Sequence, residues 1–279
     1  MTRAMLITHT HPETASDAVV KATEVARDAS VELICTPDEH RKHGEAAAGI
    51  TRVEDGEKPD VCIVLGGDGS ILYALRRFAE TGVPVFGINF GTVGFLAAVE
   101  REELEAGLQR AFSGDFEAMD MPALRVDLPV DMPVALNDVS FVRRPHGRVA
   151  ELSYAIGDEE VGSVRCDGLV AATPAGSTGY NLANAGPILA WGVKGYVVSF
   201  IAPHTLAARA LVVAPGDALQ VRNAAGREPV EIALDGEAAG ELAPGDELEI
   251  HFEESVSCLA QLPGRSFYRR IREKFGKLA

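Results

Sequence analysis

The first third of the chain alternates short apolar runs with amphipathic stretches. AMLIT from Ala4, VELIC from Val31, VCIVL from Val61 and VPVFGI from Val83 are each five or six residues long. Between them, Pro12 to Ala29 and Ile71 to Ala79 carry apolar residues at helical spacing. Strands and helices in alternation predict β-α units around a parallel sheet, whose strands read as unbroken apolar runs because both faces are covered. The polar stretch from Asp38 to Lys58 has no clear period and reads as a mobile loop with at most a short helix. A helical segment from Glu102 to Phe112 closes this part.

From Asp115 to Leu262 the pattern changes to short β-rich runs punctuated by Gly, Pro and Asp: LRVDL, VSFVRR, ELSYAIG, GYVVSFIA, LQVRN, VEIAL and LEIHF. Regular short strands of this kind predict a sandwich or other antiparallel β domain. The terminal segment, Ser266 to Leu278, reads as a basic amphipathic helix with Phe267, Ile271 and Phe275 about one turn apart, docking by that stripe. The expected plan is an α/β domain over residues 1–115, a β-rich domain over 116–265 and a carboxy-terminal helix over 266–279.

Composition narrows the function. With 41 Asp+Glu against 26 Lys+Arg the net charge is −15, which argues against nucleic acid and against anionic membrane surfaces as partners. Apolar residues at 47% and charged residues at 24% suit an ordinary globular chain. Cys35, Cys62, Cys166 and Cys258 stand far apart without a CxxC pair, so neither disulfides nor a zinc site is expected. His9, His11, His40 and His43 lack matching Cys or carboxylate partners and read as solvated loop residues. No apolar run approaches a membrane span, MTRAMLITHT is too short in apolar residues for a secretory signal, and a cytoplasmic location is expected.

The most informative local feature is Val61–Leu65 followed at once by Gly66-Gly67-Asp68-Gly69-Ser70 and a helical pattern. A strand passing through glycines into a helix start makes an anion site, because backbone N–H groups and the helix dipole favour negative charge. It is neither a P-loop, since no GK[ST] follows, nor a GxGxxG turn. A carboxylate beside phosphates needs a task, and phosphoryl transfer supplies one: Asp68 can take the proton of an attacking hydroxyl while Mg²⁺ accompanying the donor shields charge. The structural alternative is Asp68 as a simple helix cap.

A second constellation comprises Asn137-Asp138, then Arg165-Cys166-Asp167-Gly168 and the run Thr173 to Ala183, ending at Gly186-Pro187. A strand, GLVAAT, breaks at Pro174 into small residues and re-enters a short helix near Ser177 or Thr178. Small residues let a flat ring approach the backbone. Ordinary capping by Thr178 and core packing by Tyr180 are the structural alternatives.

Together, in order, the glycine loop, the Asn-acid pair, the DG…TP.GST.Y segment, APH at Ala202 to His204 and DGE at Asp235 to Glu237 resemble the NAD kinase family across nearly the whole chain. The resemblance implies a Rossmann-like α/β domain, a carboxy-terminal β-sandwich domain, NAD bound between them, and homodimers or homotetramers. It also implies transfer of a phosphoryl group from ATP, another triphosphate or polyphosphate to the 2′-hydroxyl of the adenosine ribose of NAD. Carried over, Asp68 is the proton acceptor, and Gly66, Gly67 and Gly69 shape the loop near the phosphates. Asn137 and Asp138 resemble the pair contacting the adenine end and ribose, and Asp167 resembles the acid on the nicotinamide amide. Arg148 and Arg165 fall at basic ligand positions; Thr178, Gly179, Tyr180, Asn181, Leu182 and Ala183 resemble the segment lining the dinucleotide; Ala202 and Glu237 match weaker ligand positions.

The sequence departs from the family pattern at Ser70 (usually Thr), Asp138 (usually Glu), Gly179 (usually Ala) and Glu237 (commonly Gln). The last places a carboxylate near an anionic ligand. Phosphofructokinase-like sugar kinases and diacylglycerol-type lipid kinases share the glycine loop. The former carry an acidic motif of TIDND type that is absent here, and the latter do not account for RCDGLVAATPAGSTGY. A non-catalytic NAD sensor would not need Asp68.

Overall fold

The computed structural model describes residues 2–92, 94–224, 228–264 and 266–276. It divides into two compact units, residues 1–120 with 257–279, and residues 121–256.

In the first unit, β1 (Arg3–Thr8), β2 (Glu32–Cys35), β3 (Thr51–Arg52), β4 (Val61–Gly66) and β5 (Pro84–Asn89) form a parallel sheet in the order β5-β4-β1-β2-β3. The short β6 (Val99–Glu100) pairs with β5. Every residue of β4 is buried, the burial on both faces that its unbroken apolar run predicts. Around the sheet lie α1 (Ser16–Asp28), α2 (Pro37–His43), α3 (Asp68–Arg77) and α4 (Leu104–Ser113). Ala18, Val19, Ala22 and Val25 of α1 share the core with Leu108, Ala111 and Phe112 of α4 and with Leu6, Ile63 and Phe86 of the strands. The register pairs Thr8 with Leu65 and Gly66 with Asn89, so the carboxyl ends of β1, β4 and β5 open on one sheet edge, where open α/β sheets take ligands.

The stretch from Asp38 to Lys58 is more ordered than a mobile loop. Thr36 caps α2, its hydroxyl accepting from the Glu39 N–H at 3.3 Å, and Pro37 stands at the first helical turn. A 3₁₀ turn at Gly44–Ala47 and β3 follow. His43 is buried rather than solvated, with Nε2 2.6 Å from the Thr8 hydroxyl. Thr8 also bonds Glu39, to which Lys42 donates at 2.9 Å. Burial alone would raise the Glu39 carboxyl, but hydrogen bonds from His43, Thr8 and Lys42 hold it below its ordinary value.

The second unit is antiparallel. Its strands are β7 (Glu117–Val126), β8 (Val134–Ala135), β9 (Asp138–Arg143), β10 (Ala150–Ile156), β11 (Glu159–Cys166), β12 (Gly168–Ala172), β13 (Tyr196–Ile201), β14 (Leu211–Val213), β15 (Leu219–Asn223), β16 (Val230–Leu234), β17 (Glu237–Leu242) and β18 (Glu247–Gln261). One sheet runs β14-β13-β12-β9-β16-β17 and the other β11-β10-β15-β18. Alternating burial along β15 and β16 sends one face of each inward, where Phe141, Leu152, Tyr196, Val221, Ile232 and Ile250 form the core. The loop after β12 carries a 3₁₀ turn (Gly176–Thr178) and the single turn α5 (Tyr180–Ala183).

The expected boundaries at 115/116 and 265/266 move to 120/121 and 256/257. In β18, alternation gives way to continuous burial from Val256, and Cys258 and Leu259 pair in parallel with Pro84 and Val85 of β5. The end of β18 therefore completes the α/β sheet. The terminal helix, α6, spans Phe267–Phe275, shorter than Ser266 to Leu278; Leu278 lies outside the described residues. All four cysteines are free and buried. No helix among the described residues is long and apolar enough to cross a membrane.

Candidate active site

β4 delivers the chain into the glycine turn with its last residues buried, and α3 starts at Asp68 with Gly67 before it at φ −88° and ψ −174°. Asp68 does not cap its own helix. Its carboxylate turns to the segment after β5, accepting the Phe95 N–H at 2.8 Å and the Leu96 N–H at 2.9 Å. Each oxygen keeps lone-pair capacity for a further donor. The helix-cap alternative is thereby excluded.

The segment Asn89 to Leu96, unremarked in the sequence reading, is half of this turn. A Cβ on Gly91 would stand 2.9 Å from the Gly67 Cα, so the two loops touch through glycines that no other residue could replace without movement. Asn89 Oδ1 accepts from the Gly91 N–H at 3.0 Å and Nδ2 donates to Glu100 at 2.6 Å. Space beside Gly69 is open. The run GINFGTVGFLA held the available signal, glycines flanking a strand end.

In the second unit, Asn137 and Asp138 sit where β9 begins, held by a residue assigned no role from sequence. Asp235, in the β16–β17 turn at φ +52°, accepts the N–H groups of Leu136 at 3.0 Å, Asn137 at 2.6 Å and Asp138 at 3.1 Å. Its own N–H donates to the Asp138 carbonyl at 2.9 Å. A Cβ on Gly176 would lie 2.0 Å from the Asn137 carbonyl oxygen, and the Thr173 N–H donates to that carbonyl at 2.9 Å. The small-residue loop is thus fastened onto the Asn-acid pair.

Asp138 is buried, and burial first, then the charge of Asp235, push its carboxyl up to about 7. The ideal Cβ of Gly179 stands 4.0 Å from its Oδ2. Half-exposed Tyr180 is raised by burial and then by Asp138 and Asp167, a neighbour of both in charge. Gly179 thus stands beside Asp138, and the charges of Asp138 and Asp167 both reach Tyr180.

Not every residue of the Thr178–Ala183 run faces outward. Asn181 is fully buried, donating to the carbonyls of Ser177 at 2.9 Å and Pro187 at 3.0 Å, so it shapes the turn. Ser177 bridges Pro174 and Leu189 instead of capping α5, and Thr178 bonds the Ala175 carbonyl at 3.1 Å. Leu182 is half-buried; Gly179 and Ala183 are exposed.

Asp167 forms a fork with Arg143, Nε to Oδ1 at 2.6 Å and Nη2 to Oδ2 at 3.3 Å. That hydrogen bond, opposed by slight desolvation and helped by the charges of Arg143 and His204, holds Asp167 below the usual carboxylate range. Arg143 lay unremarked within VSFVRR. Arg148 and Arg165 are exposed and, with Arg143 and Arg144, line a cavity of about 530 Å³ that also takes in Glu151 and Glu228. Ala202, at φ +43°, and Glu237, at the start of β17, are exposed.

One unit is thus an open parallel sheet with a carboxylate-bearing glycine turn at its edge, and the other an antiparallel sandwich, a two-unit α/β-plus-β class. Residues 5–116 match the ATP-NAD kinase N-terminal domain and residues 136–257 the ATP-NAD kinase C-terminal domain. The chain is 39% identical over 220 residues to an NAD kinase of Symbiobacterium thermophilum, covering 77% of this chain and 78% of that one. It is 35% identical over 226 residues to an NAD kinase of Carboxydothermus hydrogenoformans, covering 79% and 81%. Among solved structures it resembles a yeast NADH kinase complexed with NADH, with TM-score 0.87, 21% identity and coverage of 100% and 89%. An NAD kinase from Archaeoglobus fulgidus in complex with ATP gives TM-score 0.77 and 23% identity, covering 99% and 98%. The chain belongs to the NAD kinase family and is a phosphotransferase acting on NAD.

Proposed function

We propose that Asp68 is the general base, taking the proton of the NAD adenosine ribose 2′-hydroxyl as its oxygen attacks the γ-phosphorus of ATP or another triphosphate. The new bond joins the 2′-oxygen to phosphorus, the bond from the γ-phosphorus to the β-bridging oxygen breaks, and NADP and the nucleoside diphosphate leave. The observation that carries this reading is the fixing of the Asp68 carboxylate, both oxygens on successive backbone amides, within a glycine turn at a helix start. Gly66, Gly67 and Gly69 let the phosphates approach the backbone.

Asn137 and Asp138 take the adenine end and its ribose, Asp167 the nicotinamide amide, and Thr178, Gly179, Tyr180, Leu182 and Ala183 the flat faces of the dinucleotide. Arg148 and Arg165 offer charge to its phosphates, supported by their shared cavity. Ala202 and Glu237 lie further out.

Among the described residues no group of three or more His, Cys, Asp or Glu gathers to hold a metal. At the glycine turn the backbone N–H groups suit phosphate oxygens, and the one carboxylate, Asp68, would be the protein oxygen ligand for Mg²⁺ brought in on the triphosphate. Such an ion supplies charge neutralisation for the phosphates. Assembly into homodimers or homotetramers belongs to the same reading, supported by exposed Leu206, Leu211 and Val212 on and beside the edge strand β14. A cytoplasmic setting is supported by four cysteines that are all free.

The test is a coupled assay for NADP formation with ATP, other triphosphates and polyphosphate as donors, and NAD or NADH as acceptor. Triphosphate- and NAD-dependent product is expected; absence of NADP with every donor rejects the reading.

A further inference from the structure

The carboxy-terminal helix was expected only to cover an apolar stripe, yet it buries a cation. Arg270 is 6% exposed, and its Nη1 donates to the Phe95 carbonyl at 2.7 Å and the Ala97 carbonyl at 2.7 Å. Its Nη2 donates to Gln261 Oε1, and Gln261 Nε2 donates to the Leu96 carbonyl at 2.9 Å. The carbonyls of Phe95, Leu96 and Ala97 are thus all held by side chains from the end of the chain, while the N–H groups of Phe95 and Leu96 hold Asp68. Burying a guanidinium is costly unless its donors find partners, so this one marks a segment whose position matters.

Other contacts run the same way. The Phe275 ring lies 5.4 Å from that of Phe95. Lys274 reaches Glu100 at 3.5 Å, Glu100 accepts from Asn89, and Asn89 holds the Gly91 N–H against Gly67. Residues 94–98 form neither helix nor strand, and Gly94 sits at φ +67°, so local structure does not fix this segment.

We propose that Arg270, seconded by Gln261, is a positioning residue for phosphoryl transfer. It braces Phe95 and Leu96 so that their amides hold the Asp68 carboxylate in place. The inference rests on the reading of Asp68 as base. It assigns α6 a part in the reaction although no residue of α6 touches a reacting atom.

The experiment is a double-mutant cycle on the full chain, Arg270→Lys with Asp68→Asn, reading kcat, the NAD dissociation constant and the thermal melt. Lysine keeps the charge but cannot span two carbonyls and Gln261. Arg270→Lys is expected to lower kcat about tenfold or more, leave NAD binding within about twofold, and cost little further rate when Asp68 is already Asn. An equal loss in both backgrounds, or a lowered melt with unchanged kcat, overturns the brace. Near-normal kcat of Asp68→Asn by itself instead overturns the base reading, so the two failures are distinct. If Arg270→Lys does not give a cooperative melt, Gln261→Met removes the Leu96 clamp and one acceptor of Arg270 while leaving Arg270 on the Phe95 and Ala97 carbonyls, and it is held to the same cycle, with a several-fold loss of kcat expected.

Discussion

Asp68 lies within the glycine turn and Asp138 packs beside the small-residue loop at Gly179, and the fold treats these two carboxylates in opposite ways. Asp68 receives two backbone N–H groups, one on each oxygen. Asp138 is buried, stands near the charge of Asp235, and no donor among the described residues bonds its side chain. The N–H groups that could have served it are spent on Asp235, which fixes the backbone of the pair and leaves the Asp138 side chain to whatever enters. Backbone donors hold a carboxylate in place before any ligand arrives. A carboxyl without them carries an electrostatic deficit that a ligand hydroxyl can relieve.

The largest test of that contrast is Asp68→Asn. The amide cannot accept the ribose proton, so kcat should fall by about 10²–10⁴ while the NAD dissociation constant changes little. Because the new NH₂ must face one of two N–H donors, the fold should also lose about 1–3 kcal/mol, seen as a lower thermal midpoint. A variant with near-parental kcat removes the catalytic half of the comparison.

How far this was legible differs between the two regions. The continuous apolar runs of β1, β4 and β5 and the glycines after Leu65 announced the sheet edge and its loop. The partners of Asp68 did not appear, because Phe95 and Leu96 lie 27 and 28 residues on in a segment without periodicity. Asp235 acts on positions 97 to 99 residues earlier, and only its place in DGE hinted at a role. Arg143 and Arg270 looked like ordinary surface cations, since nothing local says which side chain of a basic run turns inward. Two features had visible signals that periodicity did not use. Thr36-Pro37 with Glu39 is a helix start just ahead of the stretch read as loop with a short helix, and the mostly apolar Val256–Ala260 marks where β18 changes from an antiparallel to a parallel neighbour.

The second test is the pH dependence of folding through Asp138. Burial and Asp235 raise its carboxyl from 3.8 to about 7, so between those values the unfolded chain ionises while the folded chain keeps its proton. The folded state binds more protons there, and stability must fall as pH rises through the window, by up to about 4 kcal/mol, and level off above it. Asp138→Asn is neutral throughout and escapes the loss. Urea unfolding should find parent and variant alike near pH 4 and the variant more stable by a few kcal/mol near pH 7.5, with saturating NAD narrowing the gap. Equal stability at both pH values would show that the carboxyl is satisfied in the fold and end the contrast with Asp68.

The smallest effect concerns Asp167, which lies between the two extremes because its partner is a side chain. Arg143 forks onto it, both side chains are 31% exposed, and the carboxyl is held below its usual range. It therefore stays ionised across neutral pH, so any contribution to NAD binding should be flat where that of Asp138 is sloped. On the proposed role of Asp167 at the nicotinamide amide, Asp167→Ala should raise KM for NAD about ten- to a hundredfold, equivalent to the about 1.5–3 kcal/mol of a charge-assisted hydrogen bond, with KM for the triphosphate unchanged. Arg143, accessible to water, can be solvated once its partner is gone, so the melt should move by less than about 1 kcal/mol. Steady-state kinetics from pH 6 to 8.5 decide it: equal weakening of both substrates takes Asp167 out of the NAD site, and a loss confined to one end of the range would mean that a titrating neighbour, rather than Asp167 itself, carries the contact.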